Sequence, residues 1–100
     1  MFIQLVEFET TRFDEGKSLN EEYRAKVRGK GSGRRSTVCQ DRDNPNHYVV
    51  AIEFDSYEDA MRNSELPETQ EFSEKMSALT IGGPRFTNLE VLEVREEAPA

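Results

Sequence analysis

The sequence predicts an α+β domain built in the order β-α-β-β-α-β. Three observations carry this. Apolar residues alternate with period two in four separate stretches. Two other stretches repeat them every three to four residues behind helix-start residues. Turn chemistry separates the segments, most clearly Asp43-Asn44-Pro45-Asn46.

Phe2 to Phe8 reads as the first strand, with Phe2, Val6 and Phe8 on one face and Ile3, Leu5 and Glu7 on the other. Both faces are largely apolar, so each is expected to be covered. Asp14, or Ser18 in a capping box with Glu21, starts a helix whose buried stripe is Leu19, Tyr23 and Val27. Gly29 ends it, and Gly29-Lys30-Gly31-Ser32-Gly33 reads as a flexible loop; it lacks the spacing of a phosphate loop and follows a helix. Arg34 to Arg42 is a polar strand suited to a sheet edge, with Cys39 expected as a small buried apolar residue. The turn at Asn44-Pro45 joins it in a hairpin to the third strand, Tyr48 to Phe54.

Ser56, three residues before Asp59, caps a short helix with Tyr57, Ala60 and Met61 on its apolar side. Pro67 suits the first turn of the next helix, where Phe72, Met76 and Leu79 form the stripe. Gly82-Gly83-Pro84 is expected to terminate that helix, with a fourth strand from Phe86 to Val94 and a charged tail, Arg95 to Ala100, that frays. Short connections and right-handed crossovers then give a four-stranded antiparallel sheet, order 4-1-3-2, with helices on one face. The other face, carrying Ile3, Leu5, Val49, Ala51 and Val91, would be bare and apolar, which calls for a partner.

Composition sets the bounds. One hundred residues make a single domain, 1–100, because two cores would each be too small. No apolar run is long enough to span a bilayer, and no membrane partner is expected. One cysteine excludes an internal disulfide and fits the cytoplasm, and the opening FIQLVEF has no signal-peptide pattern. The net charge of −7 conceals a basic band: Arg24 to Arg42 holds seven cations and one acid, leaving −13 elsewhere. That band could meet an anion, or simply favour a helix C-terminus. HYVVAIEF superficially suits an RNA-recognition strand, but its lead-in is Asn44-Pro45-Asn46 and the acidic remainder opposes RNA; no nucleic-acid partner is expected.

The segments YVVAIEFDSYEDAMRNS (Tyr48 to Ser64) and LPETQEF (Leu66 to Phe72) resemble the dimeric α+β barrel superfamily, in particular small antibiotic-biosynthesis-monooxygenase-like proteins. The resemblance implies a ferredoxin-like subunit, a homodimer with sheets paired into a barrel, and a ligand pocket between sheet and helices. It also implies cofactor-free oxidation of aromatic or polyketide-type substrates, or haem degradation. The haem-degrading branch uses an Asn, a Trp and a His; here Glu7, Met61 and Glu71 or Phe72 stand near those positions, and the chain has no Trp. No haem or other cofactor is therefore expected. A non-catalytic dimeric binding or scaffold module is the alternative.

Candidate ligand-contacting residues follow. Met61, Phe72 and Met76 offer an adaptable apolar lining, and Tyr23, His47 and Glu7 are the polar candidates. His47, the one histidine, lies where an antiparallel sheet brings it near Glu7, a possible proton-accepting pair. A lone histidine builds no metal site, so no metal is expected.

Overall fold

A computed structural model describes residues 1–98 of the chain; the fraying expected at Pro99 and Ala100 lies outside the described residues. The elements are β1 (Phe2–Glu9), α1 (Phe13–Lys26), β2 (Arg35–Gln40), β3 (His47–Phe54), α2 (Tyr57–Glu65), α3 (Pro67–Leu79) and β4 (Ile81–Glu90). The sheet order is β2-β3-β1-β4, all antiparallel, as expected from the crossover rules. The molecule is a slab, 40 × 35 × 21 Å, its thin dimension that of one sheet and one helix layer.

The register assigns the two sheet faces. Phe2 opposes Phe54, Val6 opposes Val50 and Phe8 opposes Tyr48, which puts the even-numbered residues of β1 and β3 under the helices. Two aromatic clusters pin the helix layer at opposite ends of this face. At one end Phe2 and Phe54 are each 2% exposed, pack with Ala60 of α2, and receive the edge of Tyr57 at 5.4 Å from Phe2. At the other, Tyr48 is sandwiched between Phe8 (5.6 Å) and Phe13 of α1 (4.5 Å). Thr10, 3% exposed, locks that second end: its hydroxyl donates to the Leu79 carbonyl at 2.7 Å and accepts from the Arg12 N–H at 3.0 Å.

Ser56 caps α2 as expected, accepting from the Asp59 N–H at 3.1 Å, and Pro67 opens α3. Three expectations change. The first helix starts at Phe13 with no side-chain cap bond, so Asp14 serves as a first-turn acid and Ser18 sits inside the helix. The helix α3 ends at Leu79, before the glycines. Gly82 and Gly83 hold φ of +76° and +80° within the opening of β4, where the pairing with β1 shifts register between Glu7 and Glu9. The fourth strand thus begins at Ile81 and ends at Glu90; Val91 follows it, its N–H donating to the Met1 carbonyl at 3.0 Å. Cys39 is exposed, as is every residue of the edge strand β2.

The basic band is answered by acids from later elements. Arg34 pairs with Asp55 (2.5 Å), Arg35 with Glu53 (2.7 Å), Lys26 with Glu71 (3.6 Å), and Lys30 with Glu68. The Arg34 guanidinium, mainly through its hydrogen bonds, holds the Asp55 carboxyl below the ordinary carboxylate range. A hydrogen bond from Lys30 does the same for Glu68. Much of the band is therefore spent in fastening α1 and its following loop to β3 and α3.

Candidate ligand site

The helix-facing side of the sheet is tightly covered only at its two ends. Between the aromatic clusters runs a row formed by Val38, Val50, Val6 and Phe86, one residue from each strand. Val6 and Val50 are half-buried, while Val38 and Phe86 are 48% and 54% exposed. The next row is Ser36, Ile52, Gln4 and Asn88, in which Gln4 Nε2 donates to Asn88 Oδ1 at 3.4 Å. No residue of α3 is buried. The middle of this face is thus an apolar floor, open to solvent toward β4, with one amide pair set into it.

The six residues nominated from the sequence fall in three places. Tyr23, Phe72 and Met76 lie along the seam between α1 and α3. Tyr23 stacks on Phe72 with centroids 4.6 Å apart, and Met76 packs on Gly16, where an added Cβ would come within 3.2 Å of its Cε. The Tyr23 hydroxyl lies 2.8 Å from Thr69 Oγ1 and accepts from Asn63 Nδ2 at 3.3 Å, and Asn63 in turn accepts from the Ser32 N–H. Its polar tip is therefore engaged between helices. A shallow groove of about 10 Å³ follows this seam, lined by Leu19, Glu22, Tyr23 and Phe72 among others. Met61 stands apart on α2, 41% exposed. A second hollow, about 360 Å³ and open, lies where the Lys30–Ser32 loop meets the α2–α3 junction; both cations of its rim are paired, Lys30 with Glu68 and Arg62 with Asp59, and Glu65 completes the rim.

Glu7 and His47 occupy the opposite face of the sheet, since they alternate with Phe8 and Tyr48. His47 Nε2 is 3.8 Å from Glu7 Oε1, and Nδ1 is 3.1 Å from Asp41 Oδ2. A carboxylate only accepts, so Nδ1 carries the proton of that bond, and Nε2 is the ring nitrogen turned toward Glu7. The Asp43 N–H, and after it His47, hold Asp41 below the ordinary carboxylate range. Sequence reasoning found the Glu7–His47 approach but missed Asp41, although a hairpin places its two flanking residues side by side. It also missed Gln4 and Asn88; the signal was an amide at the helix-facing position of a strand otherwise apolar on that side.

This face bears Ile3, Leu5, Val49, Ala51, Thr87 and Leu89 in its middle, with Arg35 and Glu53 at one end and Glu7, Arg85, His47 and Asp41 at the other. Among the described residues no group of three or more His, Cys, Asp or Glu is placed to hold a metal ion, and no helix is long and apolar enough to cross a membrane.

This sheet order with its helices on one side is also the fold of solved structures described as antibiotic biosynthesis monooxygenases. Among solved structures, SnoaB from Streptomyces nogalater, a cofactor-independent oxygenase, superposes with a TM-score of 0.80 at 16% identity, covering 96% of this chain and 97% of its own. A candidate antibiotic biosynthesis monooxygenase from Deinococcus radiodurans gives 0.79 at 15%, covering 99% and 100%. A conserved protein from Methanosarcina mazei gives 0.75 at 12%, covering 89% and 91%. At these identities the likeness is one of fold. No protein-family model matches the sequence, and no curated protein matches it.

Proposed function

We propose that the protein is a homodimeric, small-molecule-binding protein of the cytoplasm, with monooxygenase-like chemistry on an aromatic or polyketide-type substrate and no bound cofactor. The observation that carries the reading is the open apolar floor beneath the helices: Val6 and Val50 half-buried, Phe86 54% exposed, and the Gln4–Asn88 amides within reach of solvent. Floors of this kind, apolar with a few placed polar groups, are how proteins hold flat ligands. SnoaB, of the same fold, is a cofactor-independent oxygenase, which motivates the reaction class. The exposed Cys39 thiol suits a reducing compartment.

The dimer rests on surface area. The chain of 11.5 kDa has an accessible surface of 7331 Å², where a folded monomer of that mass averages roughly 5,800 Å². Part of the excess belongs to the extended residues after β4, where Leu92 is 94% exposed; the apolar middle of the uncovered sheet face is the part that a second copy would remove from water.

A non-catalytic binding module is the second reading. It is favoured by the separation of the base-bearing Glu7–His47 pair from the helix-side floor of the same subunit by the sheet itself. Oxygen uptake with a panel of aromatic ketones and quinols, alongside thermal melts with each compound, tests both. Turnover supports the oxygenase; ligand-dependent melting shifts without oxygen uptake support the module. No shift with any compound overturns the ligand site.

A further inference from the structure

Resting on that ligand site, we infer that Gln4 and Asn88 are its specificity-determining pair, selecting an uncharged aromatic that carries a hydrogen-bonding oxygen. The two amides face each other across β1 and β4 in a row that otherwise offers Ile52 and, at the far edge, Ser36. Along their strands they are flanked by Phe2 and Val6 and by Phe86 and Glu90. Gln4 is half-buried and Asn88 is exposed, so water reaches both amides, and a ligand oxygen that displaces it must reproduce its hydrogen bonds. Their mutual bond, at 3.4 Å, is long and uses one donor and one acceptor. Among the described residues Gln4 Oε1 and Asn88 Nδ2 have no other side-chain partner, so one acceptor and one donor remain together beside the floor.

A hydroxyl or carbonyl oxygen on a ring lying over Phe86 and Val6 would engage this pair, because the pair presents a free amide oxygen and a free NH₂ side by side. Charge then decides against an anion. At this face the one cation in register is Arg34, opposite Phe54, and it is held by Asp55; the acid Glu90 stands opposite Phe2, one row from the amides. A ring bearing a carboxylate would meet no free cation among the strand residues of this face and would lie one row from the Glu90 carboxylate.

Calorimetric titration with 1-naphthol, naphthalene and 1-naphthoate tests this on the full chain. The wild type is expected to bind 1-naphthol about tenfold tighter than the other two, the factor one neutral hydrogen bond supports. Gln4→Leu and Asn88→Leu should each erase that preference and keep naphthalene within about threefold of wild type. Both replacements insert an apolar side chain of similar size, and circular dichroism confirms that each variant is folded. Should neither variant fold, Gln4→Met, which keeps the length of the side chain and removes the amide, takes their place and is expected to erase the preference for 1-naphthol. Equal wild-type binding of naphthol and naphthalene, preference for naphthoate, or an unchanged preference in the variants overturns the pair's role while the ligand site stands. Failure of all three probes to bind the wild type overturns the site and the pair together.

Discussion

The Tyr23 hydroxyl meets Thr69 Oγ1 at 2.8 Å while its ring stacks on Phe72 at 4.6 Å, so one side chain of α1 holds both the first turn and the middle of α3. The two interactions separate by mutation. Tyr23→Phe removes the hydroxyl alone and should cost about 1 kcal/mol, whereas Tyr23→Ala also loses the stack and should cost about 2–4 kcal/mol. Urea unfolding followed by circular dichroism measures both. Equal losses would mean that the ring contributes nothing.

Phe72→Ala and Met76→Ala test how far the seam is ordinary core. Phe72 is half-buried and Met76 rests on Gly16. Each truncation should cost about 1.5–3 kcal/mol, below the range for a sealed site because solvent can enter the space left. Melts with and without aromatic ketones read the second effect: a probe-dependent shift that changes in either variant would place that side chain at the ligand.

Thr10→Val keeps the shape and deletes the hydroxyl that joins β1 to the end of α3. It leaves the Leu79 carbonyl and the Arg12 N–H without that partner at a site 3% exposed. A loss of about 1–3 kcal/mol is expected in equilibrium unfolding. A neutral result would show that water replaces the hydroxyl.

Acid should weaken the fold in a defined window. Asp41, Asp55, Glu68 and Glu71 all have folded pKa values below their unfolded ones; hydrogen bonds from the Asp43 N–H, Arg34, Lys30 and Lys75, respectively, are the leading causes. For a lowered carboxyl the unfolded chain binds more protons, so its contribution is complete above the unfolded value and disappears as pH falls through the folded one. Melting temperature should therefore hold from neutrality to about pH 5 and drop below about pH 4. Glu68→Gln and Asp55→Asn together should flatten the drop, while each exposed, solvent-screened pair alone changes stability at neutral pH little.

The dimer is tested by Ala51→Arg. Ala51 lies between Leu5 and Thr37 in the uncovered sheet face. Sedimentation of the wild type at micromolar concentration should give twice the chain mass, and the variant should sediment as a monomer, because the new cation would be buried without a partner. A monomeric wild type would remove the barrel.

Much of the fold was legible because local signals and sheet rules agree. Alternation fixed the faces of β1 and β3, Asn44-Pro45 marked the hairpin, and Ser56 and Pro67 marked two helix starts. What failed was chemistry with two uses. Gly82 and Gly83 permit positive φ equally at a helix end or in an irregular strand, and only the pairing with β1 decides between them. For the basic band the sequence offered an anion site or a favourable helix C-terminus and not these ion pairs, because Asp55, Glu68 and Glu71 lie tens of residues away along the chain. The candidate site suffered likewise: a helical stripe shows which residues turn inward, but not that Phe72 and Met76 spend much of their surface on α1.

The uncovered sheet face carries its charges only at the two ends of its strands, with Arg35 and Glu53 bonded to one another at one end and the Glu7–His47–Asp41 cluster at the other. For two copies placed face to face, that layout acts as a pair of stops. Sliding one sheet along its partner by a two-residue step would push Glu53 or Glu7 into the aliphatic middle, where no cation waits. In such a pair the charged ends would confine the two sheets to one alignment, set by a row of side chains at each end.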